Sequence, residues 1–253
     1  NFKNLLKSLQ NCSQDDRLEV QKTYYQFRQQ YPEQFLEYML NCVQDNDEFA
    51  IVLFRQDIDN SDSSTLMTRS QQDQELLMQQ LLTFAAKSPS RSVMQLIGSI
   101  ALHFAIKSYD LQPTFDFIQQ AMQVPSLQAN TLIVIDSICA MDINMFPFDL
   151  MQLLQQTLQK EDDVAQQTIY VLHKVLMKLR SEMNSEVKGQ ILMACFNRVL
   201  RAIQENSQQV NKMYLKVIEC FNFMGDSLQQ NIEELIEILS QIMAADVDQQ
   251  IKT

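Results

Sequence analysis

The chain contains very little glycine. Only three glycines, Gly98, Gly189 and Gly225, occur in 253 residues, where average usage would give about 18. Phosphate-binding loops of the P-loop or dinucleotide type need several glycines within a few residues, so the sequence excludes both. No Asn-Gly, Asp-Gly or Gly-Gly pair occurs. The tight hairpin turns of a sheet-based fold are therefore poorly supported as well.

Residues able to carry out chemistry are also scarce. The two histidines, His103 and His173, stand among apolar neighbours, with no second His or Cys three or four residues away to share a metal ion. Carboxylate pairs such as Asp162-Asp163 fall at predicted helix starts, where they favour the helix dipole and cap backbone N–H groups. We therefore expect structural histidines, no catalytic residue, no metal site and no cofactor, in a binding protein rather than an enzyme.

Positive charge is in deficit. The chain has 20 Lys and Arg against 31 Asp and Glu, a net charge of −11, and no run of four basic residues. Nucleic acids and anionic membranes are thus disfavoured as partners. An acidic surface suits basic partner proteins, although negative charge also simply keeps a protein in solution. No signal-peptide pattern and no apolar run of membrane-spanning length occurs, and we expect a soluble chain.

Cysteine is present without the pattern of a disulfide framework. Five cysteines, an odd number, lie far apart and mostly within apolar helical patterns. These features predict reduced, buried thiols and a location in the cytoplasm or nucleus.

Apolar residues recur at helical spacing through almost the whole chain. Five prolines each stand just before a new apolar segment, where a proline suits the first turn of a helix. With the polar breaks, they divide the chain into antiparallel helix pairs. The first helices are predicted at about 2–12, 32–44, 66–87, 113–123, 147–159, 185–206 and 227–244, and their partners at about 15–30, 46–57, 90–107, 126–141, 162–180 and 208–223.

The paired helices recur with a period of roughly 31 to 46 residues, which is typical of HEAT and armadillo-like repeats. The sequence therefore predicts an all-α fold, an α-α superhelix of about six to seven helix pairs. We expect residues 1–253 to form a single solenoid with a polar inter-repeat connection at 56–74. Because the chain ends one or two turns into the second helix of a seventh unit, which would leave an apolar repeat face uncapped, we also expect it to be a fragment of a longer protein.

Two helix pairs resemble the first repeats of the importin-β family of nuclear transport receptors (karyopherins). The first has LLKSL at 5–9 followed by RLEVQKTYYQF at 17–27, and the second has FLEYML at 35–40 followed by AIVLFR at 50–55. As in that family, a longer polar connection follows the second pair. The later helices match in order and length, and the resemblance is nearest to the receptors that import ribosomal proteins and histones.

The resemblance implies an N-terminal HEAT-repeat fragment, monomeric, that takes part in nuclear protein import between cytoplasm and nucleus. Its implied partners are a Ran-type GTPase in the GTP state, basic cargo proteins and phenylalanine-glycine nucleoporins, with no nucleic acid and no membrane. The GTPase would contact the second helices of the early repeats, and the nucleoporins would insert between first helices. The implied partner-binding residues are Glu19, Lys22, Gln26, Arg55, Gln95 and Ser99.

The chain departs from the usual HEAT pattern in its second helices. HEAT units commonly carry an Asp and a basic residue early in the second helix, which form a ladder between repeats. Arg17 and Arg91 fit this pattern, whereas the fourth and fifth units have Gln128 and Gln166 near that position. The other reading is a HEAT-repeat scaffold or adaptor that organises a multiprotein complex, and it explains the helix count, acidity and cysteines equally well.

Overall fold

The computed structural model describes residues 2–14, 16–60, 64–179, 184–205 and 207–222, together with 233, 236–238, 240 and 241. Within these ranges the chain forms twelve α-helices and one turn of 3-10 helix at Ile143–Met145, and no strand. The predicted all-α class is confirmed. The helix predicted at 227–244 falls mostly outside the described residues.

The helices follow the predicted order, with ends shifted by a few residues. They are α1 Phe2–Asn11, α2 Arg17–Gln30, α3 Pro32–Gln44, α4 Glu48–Asp59, α5 Gln71–Lys87, α6 Arg91–Lys107, α7 Gln112–Ala121, α8 Pro125–Ile138, α9 Leu150–Leu158, α10 Asp162–Lys178, α11 Ser185–Gln204 and α12 Val210–Asn222.

Short-range polar contacts explain where many of these helices begin. Pro32 and Pro125 occupy the first turn of α3 and α8, where a missing N–H costs nothing. The side chains of Asp47, Ser70 and Ser90 each accept a hydrogen bond from the backbone N–H three residues later. Such N-caps satisfy one of the unpaired donors of the first turn.

Left-handed turns are made without glycine. In the described part of the chain the residues with positive φ are Asn46 (55°) and Ser108 (57°), which lie in the turns after α3 and α6. Asparagine tolerates this conformation better than most residues. The scarcity of glycine is therefore compatible with tight connections between helices.

The polar connection is shorter than the predicted 56–74. Residues 56–59 complete α4 and residues 71–74 begin α5, so both ends of the predicted connection are helical. Its residues Ser64, Thr65 and Leu66 are buried. Leu66, predicted to start a helix at 66–87, instead packs in a turn before α5. The prediction was wrong here because Asp57, polar in sequence, is held in the interior by a distant arginine described below.

The chain divides into two compact units, Asn1–Ala121 and Met122–Thr253. In the N-terminal unit α1 packs on α2, α3 on α4 and α5 on α6, while α4 also packs on α6. Its core includes the fully buried rings of Phe35, Phe54 and Phe104. Leu18, an apolar residue in the first turn of α2, is 78% exposed.

In the C-terminal unit α10 is the central helix. It packs against α8, α9, α11 and α12, and its apolar face is almost completely buried, as at Ile169, Val171 and Val175. Alternate helices are thus direct neighbours in both units: α4 with α6, and α10 with both α8 and α12. This arrangement is compatible with an α-helical solenoid.

Candidate functional site

The predicted partner-binding residues lie on three alternate helices of the N-terminal unit. Glu19, Lys22 and Gln26 are exposed on α2, at spacings that place them along one side of the helix. Gln95 and Ser99 are half-buried one turn apart on α6.

Arg55 connects α4 to α6. Its Nη1 donates to Gln95 Oε1 at 2.5 Å, and its Nε lies 3.8 Å from Asp59 Oδ2 within α4. The structure therefore brings Arg55 and Gln95 together, as a positioned polar pair. No hydrogen bond or ion pair between described residues joins the three α2 side chains to Arg55.

A buried ion pair fixes α2 against α4. Arg28 Nη1 lies 2.5 Å from Asp57 Oδ1, and their side chains are only 9% and 1% exposed. The other carboxylate oxygen of Asp57 accepts bonds from Ser64 Oγ and from the Thr65 N–H, both at 3.1 Å. Burial raises the pKa of Asp57, and Arg28 together with these two donors opposes that rise. One carboxylate thus anchors both α2 and the connection after α4.

The expected ladder is present only in altered form. Arg17 and Arg91 are exposed and make no ion pair with any described residue. The contacts between alternate helices come from later positions, namely Arg28 with Asp57, Arg55 with Gln95, and Lys174 with Asp136. Sequence reasoning missed these pairs because it searched the first turn of each helix.

The C-terminal unit has a polar groove of about 430 Å³ along α8, α10 and α12. Lys174 Nζ donates to Asp136 Oδ2 at 2.7 Å, joining α10 to α8. His173 Nε2 lies 3.9 Å from Glu219 Oε2 on α12. Burial and the nearby Lys216 lower the pKa of His173, with Glu219 acting in the opposite direction.

A second polar contact of the C-terminal unit involves α11. Arg198, whose side chain is 2% exposed, forms an ion pair with Asp162 at the start of α10 and donates to the Lys160 carbonyl at 3.2 Å. Burial alone would raise the pKa of Asp162, but hydrogen bonds from Ser207 and Arg198 lower it below its usual value. Asp162, predicted as a helix-start carboxylate, therefore also holds a buried arginine.

Small cavities lie beside the first helices of the predicted pairs. One of about 150 Å³ lies between α9, α10 and α11 and is lined by Leu158, Leu172 and Ile191 with glutamines at its rim. Another, of about 40 Å³, lies between α5, α6 and α7 beside Met78 and Phe104. An apolar cavity of about 150 Å³ is large enough for a benzene ring, so only the first is large enough for a phenylalanine side chain as it stands.

Among the described residues no cluster of three His, Cys, Asp or Glu could hold a metal ion. Within the same ranges, no helix has the length and apolar character needed to cross a bilayer. Comparisons with protein-family models, curated proteins and solved structures found no match.

Proposed function

We propose that this chain is the N-terminal HEAT-repeat part of an importin-β-type nuclear transport receptor, a non-enzymatic protein that binds a Ran-type GTPase in its GTP state. The proposal includes a superhelix of six to seven repeats. It also includes basic cargo proteins as partners and a location in both cytoplasm and nucleus.

The observation that carries the proposal is the arrangement of α2, α4 and α6. The Arg28–Asp57 pair joins the first two helices and the Arg55–Gln95 bond joins the last two. Glu19, Lys22 and Gln26 stand exposed on α2. A partner protein would therefore meet polar side chains presented by helices that are held in fixed register, which favours specific docking.

The site is tested with the GTPase loaded with a non-hydrolysable GTP analogue or with GDP. Lys22→Glu is the informative change because Lys22 is exposed and its loss should leave the fold intact. We expect it to weaken binding of the GTP form severalfold and to change the salt dependence of binding. Lys178→Glu, which makes the same charge change at an exposed position of α10, is the matched control and should leave binding unchanged.

Arg55 needs a gentler substitution than charge reversal. Because its guanidinium bonds Gln95, Arg55→Glu would disturb α4 and α6 as well as any partner. Arg55→Lys keeps the charge and loses the fork geometry, so weakened binding without a change in thermal unfolding would assign Arg55 to the interface. Equal binding of both nucleotide states would instead favour the scaffold function.

Nucleoporin binding is proposed at the cavity between α9, α10 and α11. A phenylalanine ring entering it would contact Leu158, Leu172 and Ile191. Ala194, which is half-buried at the cavity, provides the test: Ala194→Trp should fill the space and weaken binding of a phenylalanine-glycine peptide. A peptide with serine in place of phenylalanine is the control. Unchanged binding to the tryptophan variant would exclude this cavity.

A further inference from the structure

Three lysines converge on the groove along α8, α10 and α12. Lys174, Lys212 and Lys216 all line it, although the chain as a whole has a net charge of −11. The lining carboxylates are Asp136 and Glu219. The groove therefore carries three lysine charges against two carboxylates, a local excess of positive charge on an acidic protein.

Two of the three lysines have partners inside the groove. Lys174 bonds the carboxylate and the backbone carbonyl of Asp136, at 2.7 and 3.1 Å. Lys216 donates to Glu219 at 2.6 Å and stands 5.6 Å from the centre of the Tyr170 ring. Lys212 is exposed and pairs with no carboxylate of the described part of the chain. Its ammonium is therefore available to an incoming anion.

The groove offers two further contacts beside the lysines. The Tyr170 hydroxyl oxygen accepts a hydrogen bond from Gln166 Nε2 at 3.2 Å, which leaves its own proton able to donate to a ligand oxygen. Leu215, a groove residue that is 56% exposed, provides an apolar surface. A volume of about 430 Å³ lies in the range of ligand sites, roughly 300–1,000 Å³, and accommodates a few side chains.

We propose that this groove binds an acidic segment of a protein partner. A carboxylate of the segment pairs with Lys212 and accepts a hydrogen bond from the Tyr170 hydroxyl, while a neighbouring apolar side chain packs on Leu215. The segment is complementary to the three lysines of the groove in charge, and its apolar side chain adds a contact that the net negative charge of the chain does not oppose. This surface is additional to the transport function and does not depend on it.

A nucleic acid fits the groove less well. Unstacked bases need exposed aromatic faces, and Lys216 stands over the ring of Tyr170, the tyrosine among the described residues of the lining. A long polyanion would also meet the repulsion of the net negative chain and of Asp136 and Glu219. A short segment that combines carboxylates with an apolar residue avoids both problems.

The test uses a short fluorescein-labelled peptide rich in glutamate with one leucine, titrated with the whole chain by fluorescence anisotropy. Charge reversal of both outer lysines, Lys212→Glu with Lys216→Glu, should weaken binding at least about tenfold. The matched control reverses Lys87 and Lys107, which are exposed on other helices, and should change binding less than about twofold. This pair alters net charge equally, so it separates groove contacts from long-range electrostatics.

Two further variants keep the test independent of folding. Lys212→Glu alone changes an exposed side chain without an ion pair in the described residues, so far-UV circular dichroism should be unchanged while binding weakens about threefold. Tyr170→Phe removes only the hydroxyl and should also weaken binding.

Four results would overturn the proposal: no binding by the unaltered chain, equal weakening by both double variants, equal binding of a peptide with glutamine in place of glutamate, or tighter competing binding of oligothymidylate. The proposal would be supported if the glutamate peptide binds tightly and only the groove variants weaken that binding.

Discussion

Removing the Asp57 carboxylate is expected to destabilise the N-terminal unit strongly. Asp57→Ala leaves Arg28 buried without its carboxylate partner, and it takes the acceptor from Ser64 Oγ and the Thr65 N–H. Breaking a buried ion pair by removing one partner costs about 3–5 kcal/mol. The lost hydrogen bonds share that network and do not add in full, so we expect a total loss in the same range.

The assay is urea unfolding followed by far-UV circular dichroism, since the chain has no tryptophan. Hydrogen exchange should show the loss of protection concentrated in α2, α4 and residues 64–70. The matched control is Arg201→Ala, which breaks an ion pair with Glu205 whose side chains are 54% and 49% exposed. Such an exposed pair contributes little to stability, because water and salt screen it.

A double variant separates the ion pair from the hydrogen bonds. Arg28→Met with Asp57→Leu removes both charges, and apolar replacement of a buried pair is often neutral or stabilising. Only the donors of Ser64 and Thr65 then remain unsatisfied, so the double variant should be more stable than Asp57→Ala. A loss below about 1 kcal/mol for Asp57→Ala, or one equal to that of Arg201→Ala, would refute this account of the buried pair.

Three other outcomes are expected. Phe35 is 0% exposed, and replacing it by alanine should lower the free energy of unfolding by about 3–5 kcal/mol. Alanine at the exposed Leu18 should change that free energy by under about 0.5 kcal/mol; equal effects in urea unfolding would contradict the assigned core. Burial, assisted by the nearby charge of Lys107, lowers the pKa of His103. At acid pH the folded chain therefore binds fewer protons than the unfolded chain. The free energy of unfolding should consequently fall as the pH drops below about 6.5. His103→Asn should reduce that fall. Iodoacetamide should modify Cys12, which is half-buried, before it modifies the four buried thiols. Burial raises the pKa of Cys139 to about 12. Early labelling of Cys139 in a mass-spectrometric time course would contradict its buried position.

The helices could be predicted from the sequence because their signals are local. Apolar spacing, the prolines of α3 and α8, and capping residues such as Ser70 and Ser90 each act within a few residues of the chain. The ends of α2, α3 and α6 consequently agree with prediction to within about two residues.

The contacts between alternate helices could not be predicted in the same way. Arg28 and Asp57 are 29 residues apart, and Arg55 and Gln95 are 40 apart, so each partner looks like an ordinary surface residue in its own segment. Because Asp57 looks like a surface residue in its own segment, residues 56–59 were predicted to belong to the polar connection rather than to α4. A polar residue inside an otherwise apolar stripe, with a complementary residue about one repeat later, is the signal that could have found them.

The predicted interface residues illustrate the same limit. The family resemblance implies Glu19, Lys22 and Gln26 as contacts, their helical spacing places them along one side of α2, and the structure shows them exposed. The pairing of Arg55 with Gln95 depends on how α4 packs against α6. The helix faces thus follow from local spacing, whereas the contacts between the helices depend on tertiary packing.

The proposed function is tested most directly by titrating this chain with a Ran-type GTPase in two nucleotide states under identical conditions in a calorimeter. We predict binding to the GTP-analogue form that is at least about tenfold tighter than binding to the GDP form, a difference of about 1.4 kcal/mol. Equal affinity for the two forms, or no heat of binding with either, would contradict the proposal that this helical array is part of a nuclear transport receptor.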